Sequence, residues 1–262
     1  MKLMTFLSDF GYKSSYVAQM KGVAYNITDA TLLDITHNIK PHDIKEGAFV
    51  LKTAVESFPR GTVNVAVVDP GVGTKRRGIV VTTNSQVFVG PDNGLLIPAA
   101  RALGNFRVYE IQNTKLMLDK VSNTFHGRDI FTPVAAHILN GIYFDEIGPE
   151  IKDYVDLNFG AFEVNTKSAA GKIIYVDNFG NIITNINGNR IRVLLDYGKK
   201  VMAFIGNTKK EMLFAKSYGS VKEGDILATI GSSDLLEFSI NGGNAAGKIK
   251  AKPGDPVKIL FG

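Results

Sequence analysis

No cysteine and no tryptophan occur among the 262 residues. The absence of thiols excludes disulfide staples, thiolate metal sites and cysteine nucleophiles, and it suits a reducing compartment. No apolar run reaches the ~18 residues of a membrane helix. The opening MKLMTF passes straight into Ser8-Asp9-Phe10-Gly11 without the hydrophobic stretch of a signal peptide. A cytoplasmic protein with no membrane partner is expected. Charge of one sign is scarce too, since 30 basic residues against 25 acidic ones leave a net +5. The clusters Lys75-Arg76-Arg77, Lys199-Lys200 and Lys209-Lys210 are short and lack interleaved aromatics, so no nucleic-acid partner is expected. What is present is an ordinary globular composition, 45% hydrophobic and 21% charged, which excludes disorder.

Residues 1–150 alternate short apolar runs with helix-like segments, the pattern of an α/β domain with a mostly parallel sheet. Leu3–Leu7, Thr31–Ile35 and Val63–Val68 read as strands. Ser15 to Ile27 carries Val17, Met20, Val23, Ala24 and Ile27 near helical spacing. Asp43 with Glu46 three residues on forms a capping-box pattern for a helix to about Ser57. A hairpin around Asn84-Ser85 is expected, then a helix over 95–103, an extended segment over 106–111 and a helix over 130–140 with Pro133 in its first turn. Residues 151–167 read as a linker. From 168 to 262 helical periodicity fades and short strands separated by Gly and Asn turns predict an all-β, barrel-like domain.

Three segments carry chemistry-bearing side chains. Asp69-Pro70-Gly71-Val72-Gly73-Thr74-Lys75-Arg76 follows a strand as a phosphate loop does. The segment after it, however, is another strand rather than a helix whose N-terminus could meet a phosphate. It reads either as a plain turn or as a carboxylate and a guanidinium placed to meet across that turn. Thr124-Phe125-His126-Gly127-Arg128-Asp129 offers a loop histidine before a helix. Its spacing departs from a kinase catalytic loop. His37, His42 and His137 have weaker contexts. Asp9 stands at the C-terminal end of the first strand, where open α/β sheets bind ligands, and a carboxylate there suits a ribose diol; a helix cap or Asx-turn is the alternative. In the β domain, Asp177-Asn178-Phe179-Gly180-Asn181 and Ser232-Ser233 through Glu237 to Asn244 place polar groups between apolar ones. That composition serves turns, and it also serves a purine.

Together these segments, with Tyr16-Val17-Ala18-Gln19-Met20-Lys21-Gly22 and Pro91-Asp92-Asn93-Gly94, resemble the S-adenosyl-L-methionine (SAM) hydroxide adenosyltransferases. These are adenosine-forming SAM hydrolases related to the fluorinase and chlorinase. The resemblance implies an α/β N-domain and a β-barrel-like C-domain. It also implies a homotrimer with sites at subunit interfaces, SAM as substrate, adenosine and methionine as products, and no cofactor or metal. Asp69, Arg76 and His126 match the water-activating set. Asp9 matches the ribose-diol ligand. Asn181 and the Ile240-Asn241-Gly242 backbone match adenine contacts, while Tyr16, Asp177, Ser232, Ser233 and Glu237 match other substrate-binding positions. The sequence departs from halogenating relatives at Val72 and Gly127, where hydroxyl residues would help hold halide. Ser14 and Asp234 also depart from the usual residues. The competing expectations are a halide-using adenosyltransferase, a non-catalytic adenosine-binding module, and a metal-dependent phosphoesterase built from Asp9, Asp69 and His126.

Overall fold

A computed structural model describes residues 2–261, which divide into two compact units at Asn158/Phe159. The first unit runs β1 (Leu3–Ser8), α1 (Tyr16–Ile27), β2 (Thr31–Thr36), α2 (Ile44–Val55), β3 (Val63–Val67), β4 (Gly78–Thr83), β5 (Val87–Pro91), α3 (Ile97–Ala102), β6 (Phe106–Glu110), α4 (Thr132–Leu139) and β7 (Glu150–Ile151). Its sheet order is β2-β1-β3-β5-β4-β6-β7. The β2-β1-β3-β5 part is parallel, and β4, β6 and β7 extend it antiparallel.

Strands β1 and β3 are buried along their whole length, as befits a sheet covered on both faces. Met4 and Phe6 join Met20 and Ala24 of α1 and Val134 and Ala135 of α4 in one core. The alternate residue Leu7 reaches Gly47 of α2, where Val68 and Leu95 also close in. Helix α2 starts as expected, with the Asp43 side chain accepting from Glu46 N at 3.0 Å. The reciprocal half of the box is absent. Glu46 turns to Lys40 N at 3.4 Å instead, because Asp43 N is already bonded to Lys40 O. The helix expected over 95–103 is confined to α3.

The second unit contains β8 (Glu163–Val164), β9 (Ser168–Val176), β10 (Ile182–Asn187), α5 (Gly188–Arg192), β11 (Lys200–Ile205), β12 (Thr208–Phe214), β13 (Ile226–Ile230), β14 (Leu235–Ile240), α6 (Ala245–Ile249) and β15 (Pro256–Phe261). Seven strands close on themselves in the order β10-β14-β13-β12-β11-β15-β9, the last pairing back to β10, while β8 adds to β9. The barrel interior follows the strand period of two, as with Val201, Ala203 and Ile205 of β11 and Val257 and Ile259 of β15. Strand β12 escapes the sequence reading. Lys209, Lys210 and Glu211 are all exposed, so alternation shows only over Met212–Phe214.

Candidate active site

The parallel strands β1 and β3 are neighbours, with Ser8 opposite Val67. Asp9 and Asp69 therefore leave the sheet at the same C-terminal edge, where α/β sheets place their ligands. After Asp69 the chain makes two tight turns, Val72 N bonding Asp69 O and Thr74 N bonding Gly71 O, which bring Arg76 back. Its guanidinium then grips the carboxylate in a fork: Nε donates to Oδ1 at 3.1 Å and Nη2 to Oδ2 at 2.6 Å. The side chains of Arg76 and Asp69 are 9% and 4% exposed, so solvent screens this pair little.

His126 completes the cluster. Its Nδ1 is 3.1 Å from Arg76 Nη2, and a guanidinium only donates, so Nδ1 must accept. The network therefore assigns the proton of the neutral imidazole to Nε2. Burial, and next the positive charge of Arg76, push the His126 pKa below the usual imidazole value. Phe131 supports both partners from beneath. Its fully buried ring lies 5.2 Å from the Arg76 guanidinium carbon and edge-on to His126 at 6.5 Å.

The segment carrying His126 is fixed by Asp129, fully buried, which accepts from Ser122 N at 2.8 Å, Ser122 Oγ at 2.7 Å and Arg128 Nε at 2.6 Å. Burial alone would raise this carboxyl, but those bonds hold it below the usual carboxylate range. His126 then leads into one turn of π-helix, Gly127–Phe131, before α4, a feature that recurs at functional sites. Gly73 closes the structure: its φ is +75°, and a Cβ would overlap the carbonyl oxygen of Asn123. Only glycine lets the 69–76 turn lie this close to the 122–126 segment.

Asp9 is half-buried and its Oδ2 accepts from His42 N at 2.8 Å. No hydrogen bond to its Oδ1 is made among the described residues. Tyr16 lines a separate 380 Å³ cavity with Phe10, Gln19, Phe125 and Arg128. In the second unit, Asp177, Asn181, Ile240, Asn241 and Gly242 line one cavity of 580 Å³. Phe179, Tyr218 and Gly243 line it as well, and sequence reasoning did not single them out as site residues.

Asp177 is occupied by its own turn, accepting from Phe179 N, Asn181 N and Asn181 Nδ2. Glu237 is not among the lining residues. Buried, it accepts from Tyr218 Oη at 2.8 Å and Ser239 Oγ at 2.7 Å. Burial and then that carboxylate push the Tyr218 hydroxyl up to about 12. Ser232 and Ser233 sit in the β13–β14 turn, outside the lining. Among the described residues no group of His, Asp and Glu has the disposition of a metal site.

A buried acid–guanidinium–imidazole cluster at a sheet's ligand-binding edge, followed by a barrel with a ring-walled cavity, defines a two-domain enzyme for a small organic substrate. The comparisons make this particular. The sequence model of the SAM hydroxide adenosyltransferase N-terminal domain matches residues 4–148, and that of the C-terminal domain matches residues 171–258. The chain belongs to the SAM hydroxide adenosyltransferase family. The (R)-S-adenosyl-L-methionine hydrolase of Methanocaldococcus jannaschii is 37% identical over 99% of this chain and 96% of that one. The protein of the same name from Salinispora tropica is 34% identical over 99% and 98%. The crystal structure of an uncharacterized conserved protein from Thermotoga maritima superposes with a TM-score of 0.92 at 37% identity, covering 98% of this chain and 99% of that chain. No helix among the described residues is long and apolar enough to cross a membrane.

Proposed function

We propose that this chain hydrolyses SAM to adenosine and L-methionine. The observation that carries the reading is the sharing of one guanidinium nitrogen, Arg76 Nη2, between Asp69 at 2.6 Å and His126 at 3.1 Å. The substrate's sulfonium leaves as a neutral thioether, so the leaving group needs no acid. The barrier lies in aligning a partly desolvated nucleophile with C5′. Water oxygen bonds to C5′, the C5′–S bond breaks with its electron pair passing to sulfur, and the water loses a proton.

The geometry favours Asp69 as the group that takes this proton. The Nδ1 lone pair of His126 is engaged by Arg76, whereas each Asp69 oxygen keeps a second acceptor position. His126, accepting from Arg76 Nη2 through Nδ1, holds the guanidinium in place beside Asp69. Asp9 takes the sugar diol, and the cavity walled by Tyr218, Phe179 and Asn181 takes the purine. Val72 and Gly127 bring no hydroxyl for a halide, which favours water as nucleophile. A homotrimer with sites at subunit interfaces, working in the cytoplasm, completes the proposal.

The test is incubation with SAM in H₂¹⁸O with and without chloride, followed by mass spectrometry of the nucleoside. The expected product is adenosine bearing ¹⁸O on its 5′-hydroxyl, with equimolar methionine. A 5′-chloro nucleoside, or tight adenosine binding with no methionine released, overturns the reading.

A further inference from the structure

Behind Asp9 runs a line of buried polar side chains that the proposed chemistry does not use. Ser8, the last residue of β1, and His37, just after β2, are both fully buried. Ser8 Oγ lies 2.6 Å from His37 Nδ1, and His37 Nε2 lies 3.1 Å from Asp34 Oδ1. The other oxygen of Asp34 accepts from Lys21 Nζ of α1 at 2.7 Å, and the Tyr12 ring stands edge-on to the imidazole at 5.3 Å. Phe10 N donates to Ser8 Oγ at 3.3 Å. Ionised Asp34 can only accept, which assigns the proton of the neutral imidazole to Nε2, facing that carboxylate, and leaves Nδ1 to accept from Ser8 Oγ. A nucleophilic role for this Ser-His-Asp set is excluded by geometry, because the serine oxygen is sealed inside the sheet.

What the set does is join two loops. Gly11 N donates to His37 O at 2.7 Å and Ile39 N to Ser8 O at 3.4 Å. The second loop returns a donor to the first, His42 N to Asp9 Oδ2. His42 makes that bond from a left-handed backbone, φ 67°, which a non-glycine residue holds only where its surroundings fix it. An apolar side chain in place of His37 would pack without any desolvation cost. A polar imidazole held between Ser8 Oγ at 2.6 Å and the Asp34 carboxylate at 3.1 Å instead specifies one arrangement.

We propose that His37 is a positioning residue for Asp9. Through Ser8 it sets the loop so that His42 N–H holds one carboxylate oxygen and the other is left for a vicinal diol. This inference rests on the reading of Asp9 as the sugar ligand.

The test compares dissociation constants of adenosine and 2′,3′-dideoxyadenosine for the full chain and for Asp9→Ala, Ser8→Ala and His37→Phe. The wild-type chain is expected to prefer adenosine by at least roughly tenfold, the worth of a hydrogen bond to a charged group, and Asp9→Ala to lose that preference. Ser8→Ala and His37→Phe are expected to weaken adenosine by roughly tenfold and leave the dideoxy compound within about twofold. Ser8→Ala removes a single oxygen and decides the matter if His37→Phe does not fold. Equal weakening of both nucleosides, or an intact preference, overturns the positioning role while leaving Asp9 as the diol ligand. Absence of any diol preference in the wild-type chain, or its survival in Asp9→Ala, removes the diol reading and the positioning role with it.

Discussion

In the α/β unit, Asp69, Arg76 and His126 are bonded to one another. In the barrel unit, the polar side chains around the cavity are bonded to their own turn, to backbone of another loop or to a buried carboxylate behind the wall. Asp177 caps the 177–181 turn, and Asn241 gives its amide to Val221 O at 2.8 Å. What the barrel leaves at the cavity wall is rings, backbone and the rest of a few amides. The contrast separates two tasks. Mutually bonded charges hold a reacting group in place before substrate arrives, which is where electrostatic catalysis draws its strength. A cavity whose polar atoms are largely spoken for recognises shape and flat faces and contributes binding.

The sharpest way to break this contrast is to open the shared guanidinium. Arg76→Ala is expected to lower kcat for adenosine release by roughly 10²–10³-fold while adenosine affinity stays within about threefold. It also leaves a carboxylate buried without its partner, which costs about 3 kcal/mol of folding stability. Arg76→Lys is expected to rescue little, since one ammonium cannot replace the fork and reach His126 as well. Asp69→Asn is expected to fall as far as Arg76→Ala, and His126→Gln less far. Steady-state kinetics with denaturant unfolding separates these terms, and wild-type kcat in all of them ends the assignment. The barrel should behave oppositely. Tyr218→Ala is expected to weaken adenosine by roughly tenfold, the worth of one aromatic face on a base, with kcat at saturating SAM nearly unchanged. A kcat loss without an affinity loss would erase the division of labour.

How much of this was legible in the sequence follows the same division. Local signals were readable because local physics wrote them: the β1 and β3 runs, the Asp43 cap, and an acid and a guanidinium seven residues apart around two glycines. Arg76 meeting Asp69 is a property of a single turn. Its meeting with His126, fifty residues away, is not. It depends on Gly73 passing the Asn123 carbonyl and on Phe131 lying beneath both side chains, and no spacing rule encodes either contact. Phe179 and Tyr218 were missed as site residues because an exposed aromatic in a turn carries no sign of which cavity it borders. Strand β12 was missed because its charged face hides the alternation. Buried polar pairings across strands are equally silent, as with Thr5 Oγ1 donating to Asn64 Oδ1 at 2.7 Å. Each residue alone reads as an ordinary strand position.

Gly73→Ala tests the long-range part of the cluster. The added methyl needs a left-handed φ and the space of the Asn123 carbonyl, so a loss of more than about 1 kcal/mol is expected. Activity should fall beyond what that stability loss explains, because His126 is displaced from Arg76. If chemical denaturation and activity both match wild type, the close approach does not matter.

The smallest effects expected are those of pH. His37 and His126 both have imidazoles whose protonation is disfavoured in the folded chain, by burial in each case and by Arg76 next for His126. A histidine with a depressed folded pKa binds its proton more readily when unfolded. Stability from this source is therefore fully present above the unfolded value of about 6.5 and declines as pH falls through the window below it. Activity should share the sign. A cation on His126 would face Arg76 and break the Nδ1 acceptor bond, so the acid limb of the kcat profile is expected to have its midpoint below about 6.5. His126→Gln should lose that limb while keeping the acid-side stability loss due to His37. A stability gain on acidification through this window, or an acid limb unchanged in His126→Gln, would show that the imidazole nearest the guanidinium is not the one being titrated.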